Sequence, residues 1–158
     1  MDLVFVALAF VPLEWVLCAF SIAFTVGHTT EEVIGDGGPF WCYYRRHFGR
    51  GIDDLLGVIL FSELAAVLIL LALGGYLCGS AFCLGALMGA RLGDALLSHV
   101  FLKLEHAGPN PGVATTPLYL IEFAFVLAVI PASVSPLGFV LGALVFAVFW
   151  TASLLFKR

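Results

Sequence analysis

The sequence predicts an all-α fold, a polytopic membrane helix bundle with about five transmembrane helices in a single domain spanning residues 1–158. Three observations carry this. Hydrophobic residues make up 62% of the chain and charged residues 11%, where a soluble domain has about 25% charge. Mean hydropathy is +1.10. The apolar residues run in blocks of about 20 without period-two alternation, and Gly- and Pro-rich breaks separate the blocks.

The first span covers roughly 3–29. Met1-Asp2 supplies no basic leader, and the apolar run to Val26 exceeds the roughly 7–15 residues of a signal-peptide core, so a retained helix is expected. The connection Gly35 to Ile52 is the longest, and its run Phe40-Trp41-Cys42-Tyr43-Tyr44 reads as an interfacial aromatic belt or a lid. A second span, roughly 53–74, opens on Asp53-Asp54 and carries Glu63 near its middle. The third, roughly 79–104, contains Arg91, Asp94 and His99. It also has Gly85, Gly89 and Gly93 at four-residue spacing, a face that another backbone can approach closely and through which a homo-oligomer can form. Gly108-Pro109-Asn110-Pro111-Gly112 ends it. The fourth span, roughly 114–131, holds Glu122, and after the Pro131–Pro136 break the fifth, roughly 135–156, has no ionisable residue before Lys157-Arg158.

Alternating spans place Arg45, Arg46, Arg50, Lys103, Lys157 and Arg158 on one side. The positive-inside rule makes that side cytoplasmic, with the N-terminus outside and the C-terminus inside. A net charge of −4 without any basic stripe excludes nucleic acid as a partner. Cys18, Cys42, Cys78 and Cys83 form no CxxC pair, which disfavours both a disulfide framework and a thiolate metal site.

The most specific local signal is His28-Thr29-Thr30-Glu31-Glu32. On a helix, positions i, i+3 and i+4 share a face, so the imidazole and both carboxylates converge where a divalent metal ion or a shared proton would sit. Further ionisable residues lie within the apolar spans, each costing about 2.5–3.5 kcal/mol at a helix centre if it faced lipid alone. They are expected instead to line a polar cavity in the cytoplasmic half, with Glu14, Glu63, Arg91, Asp94, His99 and Glu122 deep inside. Arg91 and Asp94, three apart, read as an ion pair. Glu31, Glu32, Glu63 and Asp94 are the candidate catalytic carboxylates, and Glu14, Asn110 and Glu122 the candidate substrate-binding residues.

The order of these pieces, with His99 and then Pro109-Asn110-Pro111-Gly112-Val113-Ala114-Thr115-Thr116 following the motif, resembles the HXXEE-motif family of small integral membrane proteins. That resemblance implies a metal-binding membrane protein. It carries over His28, Glu31, Glu32 and His99 as metal ligands and Asn110 as a residue shaping the site; His106 has no clear counterpart.

Two imidazoles with two or three carboxylates suit Zn²⁺, or a pair of iron or manganese ions, and thiolate-seeking metals lack ligands here. Zinc is preferred, because four histidines in all are too few for a His-rich oxygenase. The expected function is a metal-dependent membrane enzyme, a hydrolase by preference, acting on a lipid or isoprenoid-like substrate at the cytoplasmic side, with membrane lipids as its surroundings. The alternatives are a metal-free acid–base isomerase using the same carboxylates, or a proton- or cation-coupled transporter or ligand-binding membrane protein.

Overall fold

A computed structural model describes residues 11–35, 37–49, 51–105 and 108–155, with side chains to residue 152. Its regular elements are all helices, joined by short turns, with no strand among the described residues. The calls on His106, Arg50, Lys157 and Arg158 lie outside the described residues.

Helix α1 (Leu13–Ile34) follows Pro12 and stops at Gly35, so the chain stays helical through the whole His28–Glu32 motif. The connection read as a belt or lid contains a helix of its own, α2 (Phe40–Phe48), started after Pro39 and closed by Gly49 at φ +64°, a left-handed cap that favours glycine. Its aromatic side chains do not line an interface. Phe40, Trp41, Tyr43 and Tyr44 are buried with Ile52, Phe61 and Leu102, which makes α2 a plug over one end of the bundle. Trp41 fits the notch left by Gly57, where an added Cβ would lie 2.4 Å from the indole. The Trp41 Nε1–H and the Arg45 guanidinium both donate to Asp54, at 3.1 and 2.6 Å, and tie the plug down. Asp54 also pushes the already high Arg45 pKa further up.

Helix α3 (Asp54–Leu77) is capped by the Asp53 carboxylate, which accepts from the Leu56 N–H, and its last five residues widen into a π turn. Helix α4 (Ala81–Glu105), capped by Ser80, winds as π-helix over Ala95–Phe101. Helix α5 (Thr116–Val129) and helix α6 (Pro136–Leu155) complete the bundle, separated by a short 3₁₀ turn at Pro131–Ser133.

Among the described residues two helices, α3 and α4, are long and apolar enough to cross a membrane. Helix α5 and the apolar stretch Pro136–Ala152 are shorter, so length and composition support two spans rather than the five expected. The bundle is polar within and apolar without. His28, Glu32, Arg91, Asp94, His99, Asn110 and Glu122 are buried, whereas Leu55, Leu70, Leu137, Val145 and Val148 are more than 60% exposed.

Helix α4 sits against α6 with almost no side chain between them. A Cβ on Gly85 or Gly89 would lie 2.3 and 2.0 Å from the carbonyls of Ser135 and Phe139, and one on Gly138 or Gly142 would meet those of Phe82 and Ala86 at 2.4 and 2.1 Å. The glycine stripe therefore works as a backbone-contact face, but its partner is the chain's own last helix. Within the chain that face is covered by α6.

Candidate metal centre

Four buried side chains from two helices converge: His28 and Glu32 from α1, Asp94 and His99 from α4. One donor atom from each lies within 4.8 Å of all the others. The α1 pair follows from i, i+4 spacing. The α4 pair does not, because residues five apart on an α-helix point about 140° from one another. Asp94 and His99 come together because the chain between them is π-helical, where a turn closes on i+5.

The outer hydrogen bonds fix how the imidazoles face. The Asn110 Nδ2 donates to the carbonyls of Ser98 (3.1 Å) and His99 (3.4 Å), which leaves its Oδ1 to accept from the His99 Nδ1–H at 3.0 Å. Thr115 Oγ1 donates to the Glu31 carboxylate at 2.6 Å and so accepts from the His28 Nδ1–H at 2.8 Å. With both Nδ1 positions protonated, both Nε2 lone pairs point inward, assigned here from the network. The two Nε2 atoms are 3.1 Å apart. Around them stand carboxylate oxygens of Asp94 at 3.0 and 3.7 Å and of Glu32 at 3.5 and 3.7 Å.

Four acceptors thus face one another without a donor between them, and with neutral imidazoles the group carries two negative charges. An ion held about 2.0–2.1 Å from four tetrahedral donors needs donor–donor edges of about 3.3–3.4 Å. The imidazole–imidazole and imidazole–carboxylate separations, 3.0 to 3.7 Å, bracket that value, and the set of four donors spreads over at most 4.8 Å. The quartet can hold a metal ion.

The loop before α5 closes the centre. Gly112 has φ +93°, and a Cβ there would sit 2.4 Å from His99 Cε1 and 3.0 Å from Glu32 Cγ, so both conformation and space call for glycine. Tyr119 of α5 lies against the His28 ring, with centroids 4.6 Å apart.

Several expected residues sit elsewhere. Glu31 lies outside the quartet. Its carboxylate accepts the backbone N–H groups of Ala114 (3.0 Å) and Thr115 (2.9 Å), capping the start of α5, and its site in the quartet is taken by Asp94. Asn110 lies behind His99 as a positioning residue rather than against a substrate. Glu122 is buried but ion-paired to Arg91, which also donates to Thr25 and to the Ser21 carbonyl, and it accepts from Tyr76 at 2.8 Å. Arg91 therefore pairs across helices and not with Asp94, as the i, i+3 spacing had suggested. Glu14 is exposed in the first turn of α1, fourteen residues or about 21 Å from His28, and Glu63 is exposed on α3. Neither reaches the cavity they were expected to line.

A narrow pocket of about 30 Å³ opens onto the quartet. Glu32, Asp94 and Ser98 form its polar end, and Phe40, Trp41, Phe61, Phe146 and Trp150 are among the aromatic side chains around the rest. The two carboxylates face this space while both imidazoles stay behind them. Thr115 and Gly112 stand against the quartet although spacing gave neither of them a role; the Asn110–Thr116 segment was the signal closest to them.

No protein-family model matches the chain, and neither a curated protein nor a solved structure is significantly similar to it.

Proposed function

We propose that this protein is a multi-pass membrane enzyme that uses a metal ion, Zn²⁺ by preference, to hydrolyse a lipid or isoprenoid-like substrate from the cytoplasmic side. The observation that carries the reading is the pocket: among the described residues its only carboxylates, Glu32 and Asp94, belong to the metal quartet, and the rest of its wall is aromatic or aliphatic apart from Ser98. Such a space favours an apolar molecule whose one polar, reacting group meets the ion.

Zinc bound there supplies Lewis acidity and a water with a pKa of about 7. His28 and His99, held from behind by Thr115 and Asn110, and Asp94 would be the three protein ligands, which leaves the fourth position to water and Glu32 off the ion. Glu32 stands on the pocket side and is the general base: it takes a proton from the attacking water and passes it to the leaving oxygen, so that water is consumed and an acid and an alcohol are released. The bundle crosses the membrane five times on this reading, with the N-terminus outside. The exposed aliphatic faces of α3 and α6 support lipid contact. Membership of the HXXEE-motif family belongs to the same proposal. It is supported by the way His28, Glu32, His99, Asn110, Gly112 and Thr115, separate in sequence, meet around one point.

A metal-free acid–base enzyme would use the same four groups sharing protons. A transporter reading draws on the polar groups that continue past the centre through Arg91, Glu122 and Tyr76. Against it, Arg91 is a fixed buried cation across that path, which repels a conducted cation.

Protein purified without chelators should contain about one zinc per chain, and His28→Ala and Asp94→Ala should each lose it. Incubation with lipid extract should yield a cleaved species, at a rate about 10²–10⁴-fold lower for Glu32→Gln. Metal-free parent protein that still alters lipid would select the acid–base isomerase, and ion flux through liposomes with unaltered lipid would select the transporter.

A further inference from the structure

Helices α3 and α6 scarcely touch, although both pack on α4. The gap between them is a groove of about 510 Å³, open to the side of the bundle and apolar except for Glu63 at its edge. Leu64, Phe146 and Phe149 line both this groove and the aromatic pocket, so the two spaces adjoin with only these three side chains between them. On the floor, Ala86, Ala90 and Gly142 keep the channel deep because they project almost nothing into it.

We infer that the substrate of the proposed enzyme is a lipid with one long unbranched chain, taken up sideways between α3 and α6, its chain lying in the groove and its reacting group at Glu32 and Asp94. The inference rests on the proposed function for the identity of the reacting end only. Along α3 the groove runs from Leu60 to Leu71, about 16 Å at 1.5 Å per residue. An extended chain advances about 1.2 Å per bond, so about 13–14 bonds fill that length. At the site end the cavity narrows to about 30 Å³, room for about two waters, which admits one slender chain end and not two. The depth also constrains the chemistry. His28 and His99 are each six residues, about 9 Å, short of their helix ends, so the reacting bond lies below the headgroup, at the junction with the chain.

The test uses Trp41 and Trp150, which line the pocket, as reporters in a Trp15→Phe background within nanodiscs of saturated phosphatidylcholine. The probes are 2-bromohexadecan-1-ol and 16-bromohexadecan-1-ol, neither of which can be hydrolysed as an ester. The 2-bromo probe should quench saturably, at about one probe per chain and by more than half, and the 16-bromo probe should quench several-fold less. Ala90→Leu, which fills the floor, and Val145→Phe, on an exposed wall, should each abolish the saturable part. Equal quenching by both probes, or quenching insensitive to Val145→Phe, overturns the groove. Saturable quenching of the same size by a phosphatidylcholine brominated near its carbonyls overturns the single chain. Metal content is measured on the same samples: position-dependent quenching without metal retains the groove and removes the metal enzyme, and metal without position-dependent quenching does the reverse.

Discussion

Thr115 holds a single hydroxyl between two acceptors-in-waiting, and its proton decides what His28 can do. Because the Glu31 carboxylate takes that proton at 2.6 Å, the hydroxyl oxygen is left to receive the His28 Nδ1–H, and Nε2 turns its lone pair to the centre. Removing the hydroxyl leaves Nδ1–H unbonded and frees the other tautomer. Thr115→Val should therefore weaken metal binding about 10–100-fold, the usual loss for an outer-sphere partner, with little change in helical content. Competition with a chromophoric chelator measures it, and unchanged affinity would remove Thr115 from the positioning role. Glu31→Gln tests the same relay one step back and should show a loss of similar direction. The motif on α1 was readable from spacing alone, as far as His28 and Glu32. Glu31 was misassigned for a physical reason: i+3 and i+4 share a face broadly, and only the position of the α5 backbone, 84 residues away, decides which carboxylate caps a helix and which faces the ion. Asp94 was recognised as a candidate acid but not as a ligand, since five-residue spacing looks wrong until the π turn is seen.

Helix α4 is the element on which both the centre and the groove depend, and its register against α6 is set by backbone contact. Gly89 would place a Cβ 2.0 Å from the Phe139 carbonyl, whereas Gly27 on α1 has nothing within 4 Å of its would-be Cβ. The two glycines should respond with opposite sign. Gly89→Ala must push α4 and α6 apart and should cost about 1–3 kcal/mol. Gly27→Ala should be neutral or stabilising by up to about 1 kcal/mol, through helix propensity. Thermal unfolding in detergent distinguishes them, and equal effects would mean that the close packing is not what holds the pair. The five helical segments and the glycine stripe could be seen in the sequence because apolar runs and four-residue spacing are local patterns. Helix α2 could not be read from those signals, since nine residues between Pro39 and Gly49 with three basic side chains in the last turn look like a loop, and only burial against Phe61 and Leu102 pays for their order.

At the scale of the whole molecule, the proposed orientation makes the two ends of α3 differ in accessibility. Its N-terminal end adjoins Arg45 and Arg46 on α2, and its C-terminal end leads into Cys78, an exposed cysteine in a turn without a charged residue. The basic end belongs in the cytoplasm under the positive-inside rule, which places Cys78 outside. With Cys18, Cys42 and Cys83 replaced by alanine, a membrane-impermeant maleimide added to sealed cells should label Cys78. In a second protein with Cys78→Ala and Phe48→Cys, the same reagent should label only after permeabilisation. Phe48 closes α2 beside the bundle end that holds the metal quartet, so this pair of labels also reports which leaflet the substrate comes from. Labelling of Phe48→Cys from outside would invert the bundle and move the proposed chemistry to the outer leaflet. Labelling of both positions from one side would mean that α3 does not cross, and the groove between α3 and α6 would then face water, where an apolar channel of its length has no lipid chain to take up.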